Sequence, residues 1–234
     1  MNIIVLETAT EACSVAVQSG DKIVSEYVIC PQQHSQRILP MLAHALSEAG
    51  LAKQDIDGIG FGHGPGSFTG VRIAMGMTQG LALGLDIPVV GVSTLGAMAQ
   101  QIFAQQPKVT DVFAAIDARM DEVYFAHYRC IDNIAVVQGV EQVISPATTL
   151  TLLPNTLHND IASGCAALVG TGWQAYPELS EYAHDTPAVL YPDARYMLAF
   201  VEQALAAGLG QAVEQVEPQY LRNTVTWKKL PGKE

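Results

Sequence analysis

Two stretches of the chain, 110 residues apart, read as a strand, a polar turn and a returning strand with acids at matching places. Glu7 and Glu11 flank the first turn, and Asp117 and Asp121 flank the second. A constant offset between two such pairs is a positional internal repeat. A repeat constrains a fold more than a single motif does, because each half must solve the same packing problem. The alternative is coincidence, since acids are common in turns.

The order of elements around the acids favours the repeat. Residues 3–6 read as a buried strand, 14–17 as its hairpin partner, and 23–29 as a third run rich in β-branched residues. A helix follows over 36–49, with Ile38, Leu39, Leu42, Ala45 and Leu46 at helical spacing, Ser35 as candidate N-cap, Pro40 in the first turns and Gly50 just past the end. Next come a strand over 56–61, a glycine-rich bend, a helix over 70–83, a strand over 88–92, and a helix capped by Ser93 that runs to about Gln105. Three meandering strands followed by strand–helix alternation is the order of a ribonuclease H-like domain. Gln106-Pro107-Lys108 marks a boundary, after which strands are expected over 112–117, 122–128 and 134–143. The second half then thins: 145–163 is polar, 166–169 can form a strand before Gly170-Thr171-Gly172, and 194–207 reads as a helix ending at Gly208. The tail from Val216 onward, with Tyr220-Leu221-Arg222-Asn223 and Trp227, is too apolar to be free and is expected to pack back on the body. The expectation is an α/β protein of two ribonuclease H-like halves in an actin-like ATPase arrangement, with mixed sheets flanked by helices. The first half spans 1–106 and a reduced second half spans 107–234.

Composition narrows the function. Apolar residues make up 49% of the 234, so a substantial core can form. The net charge of −11 argues against unaided nucleic-acid binding, where lysines and arginines supply the affinity. No basic start with a long apolar stretch opens the sequence and no apolar run reaches bilayer length, so a cytoplasmic protein without membrane contact is expected. Cys13, Cys30, Cys130 and Cys165 are scattered without paired spacing and read as reduced thiols rather than a zinc site.

The stretch His63-Gly64-Pro65-Gly66-Ser67-Phe68-Thr69-Gly70 sits between a strand and a helix, where backbone N–H groups usually meet an anion. It matches neither a Walker A motif, which needs a lysine after glycine, nor the GxGxxG dinucleotide pattern. Two readings stay open: an anion loop using Gly64, Gly66 and Ser67, or a rigid turn that aims the next helix. Glu7, Glu11, Asp117 and Asp121 are likewise candidates to hold Mg²⁺ through water, or ordinary turn acids. Gly170-Thr171-Gly172 is a short adenosine loop or a tight turn. Nucleophilic catalysis by Ser67 and His63 lacks an orienting acid in the sequence. In the helix after the loop, Gly76, Gly80 and Gly84 recur every four residues, although glycine costs about 1 kcal/mol in a helix interior. Such a stripe lets another backbone approach closely, either within the chain or in a partner subunit.

Six runs carry a family resemblance: Glu7-Thr8-Ala9-Thr10-Glu11-Ala12-Cys13-Ser14-Val15-Ala16, His34-Ser35-Gln36-Arg37-Ile38-Leu39-Pro40, Gly64-Pro65-Gly66-Ser67-Phe68-Thr69-Gly70-Val71-Arg72, Gly91-Val92-Ser93-Thr94-Leu95, Ile116-Asp117-Ala118-Arg119-Met120-Asp121-Glu122-Val123-Tyr124 and, in the tail, Tyr220-Leu221-Arg222-Asn223. Together they resemble the bacterial TsaB (YeaZ) family over nearly the whole chain. Glu7 departs from the Asp usual there but keeps the carboxylate. The resemblance implies a role in forming N6-threonylcarbamoyladenosine in tRNA, at the adenosine following the anticodon. It implies a non-catalytic subunit that pairs with a paralogous transferase, TsaD, joined by the small ATPase TsaE, and that pairs with itself when alone. No firmly bound cofactor and no metal are implied, though ATP or ADP at the subunit junction is allowed for, and no direct tRNA contact is expected. Laying the Gly-Pro-Gly turns together places Thr94 and Met98 where TsaD carries the histidines of its metal-binding HxxxH pair, and neither suits such a site. The pairing surface is expected on the helices 36–49 (Ile38, Leu39, Leu42, Leu46) and 70–84 (Arg72, Met75, Gly76, Gln79, Gly80, Leu83). Two other readings remain: a free-standing nucleotide-dependent phosphotransferase or ATPase of the actin-like superfamily, and a metallopeptidase, which follows only from an old family label.

Overall fold

The computed structural model describes residues 1–183, 187 and 189–222. Asn223 and Trp227, named above as parts of a packed tail, lie outside the described residues.

The first half is a five-stranded mixed sheet of β1 (Asn2–Glu7), β2 (Ala12–Ser19), β3 (Lys22–Ile29), β4 (Gly58–Gly64) and β5 (Val89–Ser93), in the order β3-β2-β1-β4-β5. Helices α1 (His34–Ala49) and α2 (Phe68–Leu85) cover one face. Alternation along the strands sorts the core: Ile4, Leu6, Val15, Val17, Ile59 and Phe61 face these helices, while Ile3, Val5, Ala16, Val90 and Val92 face the other side. Helix α3 (Thr94–Gln105) lies between the halves, giving Ala97 to the first and Leu95, Met98, Ala99 and Ile102 to the second.

The second half repeats the pattern with β6 (Asp111–Arg119), β7 (Glu122–Ile131), β8 (Ile134–Val137), β9 (Gln142–Ile144) and β10 (Ala166–Val169), ordered β10-β6-β7-β8. This is the first sheet's order without its fifth strand. The 110-residue offset survives in the parallel pairing: shifting Ile3↔Gly58 and Ile4↔Ile59 by that amount gives Phe113↔Leu168 and Ala114↔Val169, both observed. The hairpin departs by one residue, since Glu7 faces Ser14 but Asp117 faces Val123. The second turn is tighter, with positive φ at Arg119, Met120 and Asp121.

Several elements differ from the sequence reading. Helix α1 starts at His34 with Gln33 as N-cap, so Ser35 lies inside it, and Pro40 sits in the helix body. The strand expected over 134–143 is two, β8 and β9, both paired with β7 and separated by Gly139 at φ +88°. The polar stretch 145–163 holds two short helices, α4 (Pro146–Leu152) and α5 (Leu157–Ala162), followed by the single turns α6 (Gly172–Ala175) and α7 (Pro177–Ser180). The expected 194–207 helix begins as a 3₁₀ turn, Ala194–Met197, before α8 (Leu198–Ala206). Through Ala194, Met197, Leu198 and Val201, this last segment packs on the first sheet, on the face opposite α1 and α2.

Candidate functional site

The Gly-Pro-Gly loop is pressed against the first hairpin turn. Gly64 ends β4 at φ +105° and Ser67 caps α2, its Oγ accepting from the Gly70 N–H at 3.3 Å. The Ser67 N–H donates to the Ala9 carbonyl at 2.7 Å. A Cβ on Gly66 would stand 2.3 Å from the Ala9 oxygen, and one on Gly70 2.1 Å from the Thr8 oxygen. Thr8 Oγ1 donates to the Gly70 carbonyl (2.6 Å) and accepts from Ala74 N–H (3.1 Å), pinning the first turn of α2. Glycine at 66 and 70 therefore serves a backbone-on-backbone contact inside the chain.

The matching loop of the second half does the same. Gly170, at φ +94°, would carry a Cβ 2.2 Å from the Ala115 carbonyl oxygen, and the Asp117 N–H donates to Thr171 Oγ1 at 3.2 Å.

Between the halves lies a cleft of about 710 Å³, whose walls include Glu11, Gly66, Ser67, Asp117, Arg119 and Arg222. Of the seven residues proposed for anion or nucleotide contact, this cleft gathers Glu11, Gly66, Ser67 and Asp117; Glu7, Gly64 and Asp121 do not line it. Glu7 is sealed beneath the loop, with Oε1 accepting from Ala9 N–H and Oε2 unpartnered against Gly62. Burial pushes its carboxyl up to about 7, against hydrogen bonds from the Ala9 and Thr8 backbone that act the other way. Asp117 accepts from Arg119 N–H (2.8 Å), the Arg119 guanidinium (2.7 Å) and the Tyr176 hydroxyl (2.8 Å). Asp121 is exposed in the turn. Burial holds the His63 imidazole down at about 4, so it is neutral near pH 7. Thr94 and Met98 are buried at the start of α3, with Thr94 Oγ1 unpartnered. Among the described residues, no three His, Cys, Asp or Glu side chains gather as metal ligands.

Helix α2 has two unlike faces. Val71, Ala74, Thr78 and Ala82 point into the core. Arg72, Gly76, Gly80, Leu83 and Gly84 are exposed, and Met75 and Gln79 flank them half-buried. Among the described residues, a Cβ at Gly76, Gly80 or Gly84 would meet no atom within 4 Å, so none of them packs on the stripe. Leu83 is 69% exposed at its end.

The expectation for α1 needs correction. Ile38, Leu42 and Leu46 are buried in the chain's own core and have no surface to offer; of the four named residues only Leu39 is exposed. Phe68 and Tyr220, which the sequence reading left out of the site, stand exposed beside Arg72, their rings stacked at 5.8 Å.

The family model that matches describes a tRNA N6-adenosine threonylcarbamoyltransferase, TsaD, and covers residues 22–230. Among curated proteins, the chain is 46% identical to the tRNA threonylcarbamoyladenosine biosynthesis protein TsaB of Escherichia coli over the full length of both. It is 40% identical to the Haemophilus influenzae protein of the same name, over 100% of this chain and 99% of that one. Among solved structures it is similar to YeaZ from Pseudomonas aeruginosa, with TM-score 0.80 and 39% identity over 94% of this chain and 99% of the other. No helix among the described residues is long and apolar enough to cross a membrane.

Proposed function

Because this chain belongs to the TsaB family of tRNA threonylcarbamoyladenosine biosynthesis proteins, we propose that it is the non-catalytic pairing subunit of that system. In this reading the outer face of α2 binds a TsaD-related transferase subunit, a small ATPase of the TsaE kind joins them, and the lone chain pairs with itself in the cytoplasm. The observation that carries the reading is the open glycine stripe. Three glycines on the solvent side of an 18-residue helix meet nothing among the described residues, and they let a partner helix approach to backbone distance. The net charge of −11 fits a subunit that leaves tRNA contact to others.

The state of the acids supports a non-catalytic role. A Mg²⁺ ion held through water needs ionised, accessible carboxylates; of the four candidate acids Glu7 is sealed and Asp117 is engaged by Arg119 and Tyr176, which leaves Glu11 on the cleft wall and Asp121 exposed in its turn. Reconstitution tests the reading: the chain alone leaves tRNA unmodified and ATP intact, while adding it to the TsaD- and TsaE-type subunits restores threonylcarbamoyl transfer. Gly80→Leu should abolish pairing, and unchanged pairing would sink the assignment of the face.

The cleft keeps a second reading in play, a free-standing phosphotransferase, because it brings both hairpin turns and the glycine loop to one cavity. Calorimetry of the lone chain with Mg-ATP separates the two. Tight binding lost on Asp117→Ala would favour the enzyme; no heat of binding favours the scaffold, with nucleotide left to the subunit junction.

A further inference from the structure

After α8 the chain runs back along the edge of the first sheet, where Gln211 bridges Val89. The next residues pass beside the Gly-Pro-Gly loop and reach the second half. Gln219 donates its N–H to the His63 carbonyl at 2.8 Å, its carbonyl lies against Gly64, and its side chain sits beside Glu141 of the second half. Tyr220 stacks on Phe68, and its hydroxyl accepts from Arg72 Nε at 3.1 Å. The Arg72 guanidinium lies 3.6 Å over the Phe68 ring. Arg222 then grips the second hairpin turn: Nε donates to Glu122 Oε2 at 3.1 Å, and Nη2 donates to that same oxygen and to the Ala118 and Arg119 carbonyls at 3.1 and 3.3 Å. The Arg222 side chain is only 18% exposed, so these charge-assisted bonds are largely shielded from water.

We infer that the four residues 219–222 are a clasp that fixes the two halves against each other and completes the pairing face by holding Phe68 and Arg72 at the start of α2. Phe68, Arg72 and Tyr220 form one exposed aromatic–cation stack, one turn from Gly76 along the same outer face. Exposed aromatic and arginine side chains held in a fixed rotamer are what a partner surface uses as anchors, since little side-chain entropy is lost when they dock. The clasp's other end forms part of the wall of the cleft, so the hairpin turn carrying Asp117 and Arg119 and the start of the pairing face are tied through four consecutive residues. The occupant is the TsaD-related subunit proposed for α2, and the inference rests on that reading.

The test uses the full chain with Arg222→Ala and Gly80→Leu, titrated against the TsaD-related subunit by calorimetry, with amide hydrogen exchange on the unbound chain. Arg222→Ala should weaken pairing tenfold or more and speed exchange both at 118–122 and at 63–72, leaving the sheet protected. If Arg222→Ala destabilises the whole chain, Glu122→Gln removes the same grip from the other side and should give the same pair of changes. Parent-like pairing by Arg222→Ala and Glu122→Gln, while Gly80→Leu fails to pair, overturns the clasp and leaves the face standing. Exchange changes confined to 218–222 also overturn it. Parent-like pairing by Gly80→Leu brings down the face itself, and the clasp with it.

Discussion

At the end of β1, Glu7 is fully buried with one oxygen unpartnered; at the matching end of β6, Asp117 is half-buried and held by Arg119 and Tyr176. The register that relates them is the same one that relates the parallel strands. Each half also lays a glycine turn on the carbonyls of its first strand or the turn that follows: Gly66 and Gly70 on Ala9 and Thr8, Gly170 on Ala115. The duplicated scaffold is kept while the surroundings of the two carboxylates differ, one being desolvated and the other held by a cation and a phenol. Backbone packing and acid chemistry are thus separable in this fold.

If both glycine turns are held by packing, a methyl group should be intolerable in each. Gly70→Ala puts a Cβ 2.1 Å from the Thr8 oxygen, and Gly170→Ala adds a φ of +94° to a 2.2 Å approach to Ala115. Neither neighbour is a flexible side-chain tip, so backbone must shift. We expect Gly70→Ala to cost roughly 1 to 3 kcal/mol in urea or thermal unfolding, and Gly170→Ala that much with a further cost of about 1 to 3 kcal/mol for its strained φ. A turn kept chiefly for a ligand would lose binding while unfolding as the parent does, and that result would break the parallel between the halves.

Glu7 should make the stability of the fold depend on pH. The Glu7 carboxyl sits at about 7 in the folded chain against an ordinary 4.5, so the folded state binds a proton more tightly than the unfolded one. Stability from this group is full below about pH 4.5, falls as pH rises to about 7, and is level beyond. The loss across that window is roughly 3 kcal/mol. Glu7→Gln should flatten that slope and match or exceed the parent's stability at pH 8. A parent whose stability is level from pH 5 to 8 would put Glu7 in contact with water.

The sequence carried the repeat because acids in hairpin turns and β-branched runs are local signals, and the offset of 110 holds for the parallel strands as well. It missed the one-residue tightening of the second hairpin, since three successive positive φ values at Arg119, Met120 and Asp121 follow from no residue type there. Helix α4 carries its signal in the sequence, since Ser145 caps it and Pro146 occupies its first position. The α1 error has a general cause. Ile38, Leu42, Ala45 and Leu46 form the stripe that a surface helix spends on its own core, so an apolar stripe argues against an interface unless a second stripe exists. Helix α2 meets that condition, its core stripe being Ala74, Thr78 and Ala82 while its glycines lie opposite. Tyr220 and Arg222 were invisible as site residues because their partners are 148 and 100 residues away.

The smallest effect separates the two kinds of glycine most cleanly. Gly76 lies mid-helix with nothing among the described residues within 4 Å of a Cβ, so Gly76→Ala adds a methyl group in open space and removes backbone freedom from the unfolded chain. Alanine is preferred over glycine in a helix interior by about 1 kcal/mol. Unfolding of the dilute, unpaired variant should therefore show a gain of about 1 kcal/mol, opposite in sign to Gly70→Ala on the same helix. The same methyl group stands where a partner backbone would come, so calorimetric titration with the TsaD-related subunit should show weaker binding despite the more stable fold. Glycine at 76 costs its own helix about 1 kcal/mol, and a variant that gains stability and pairs as tightly as the parent would leave the glycine stripe without a role.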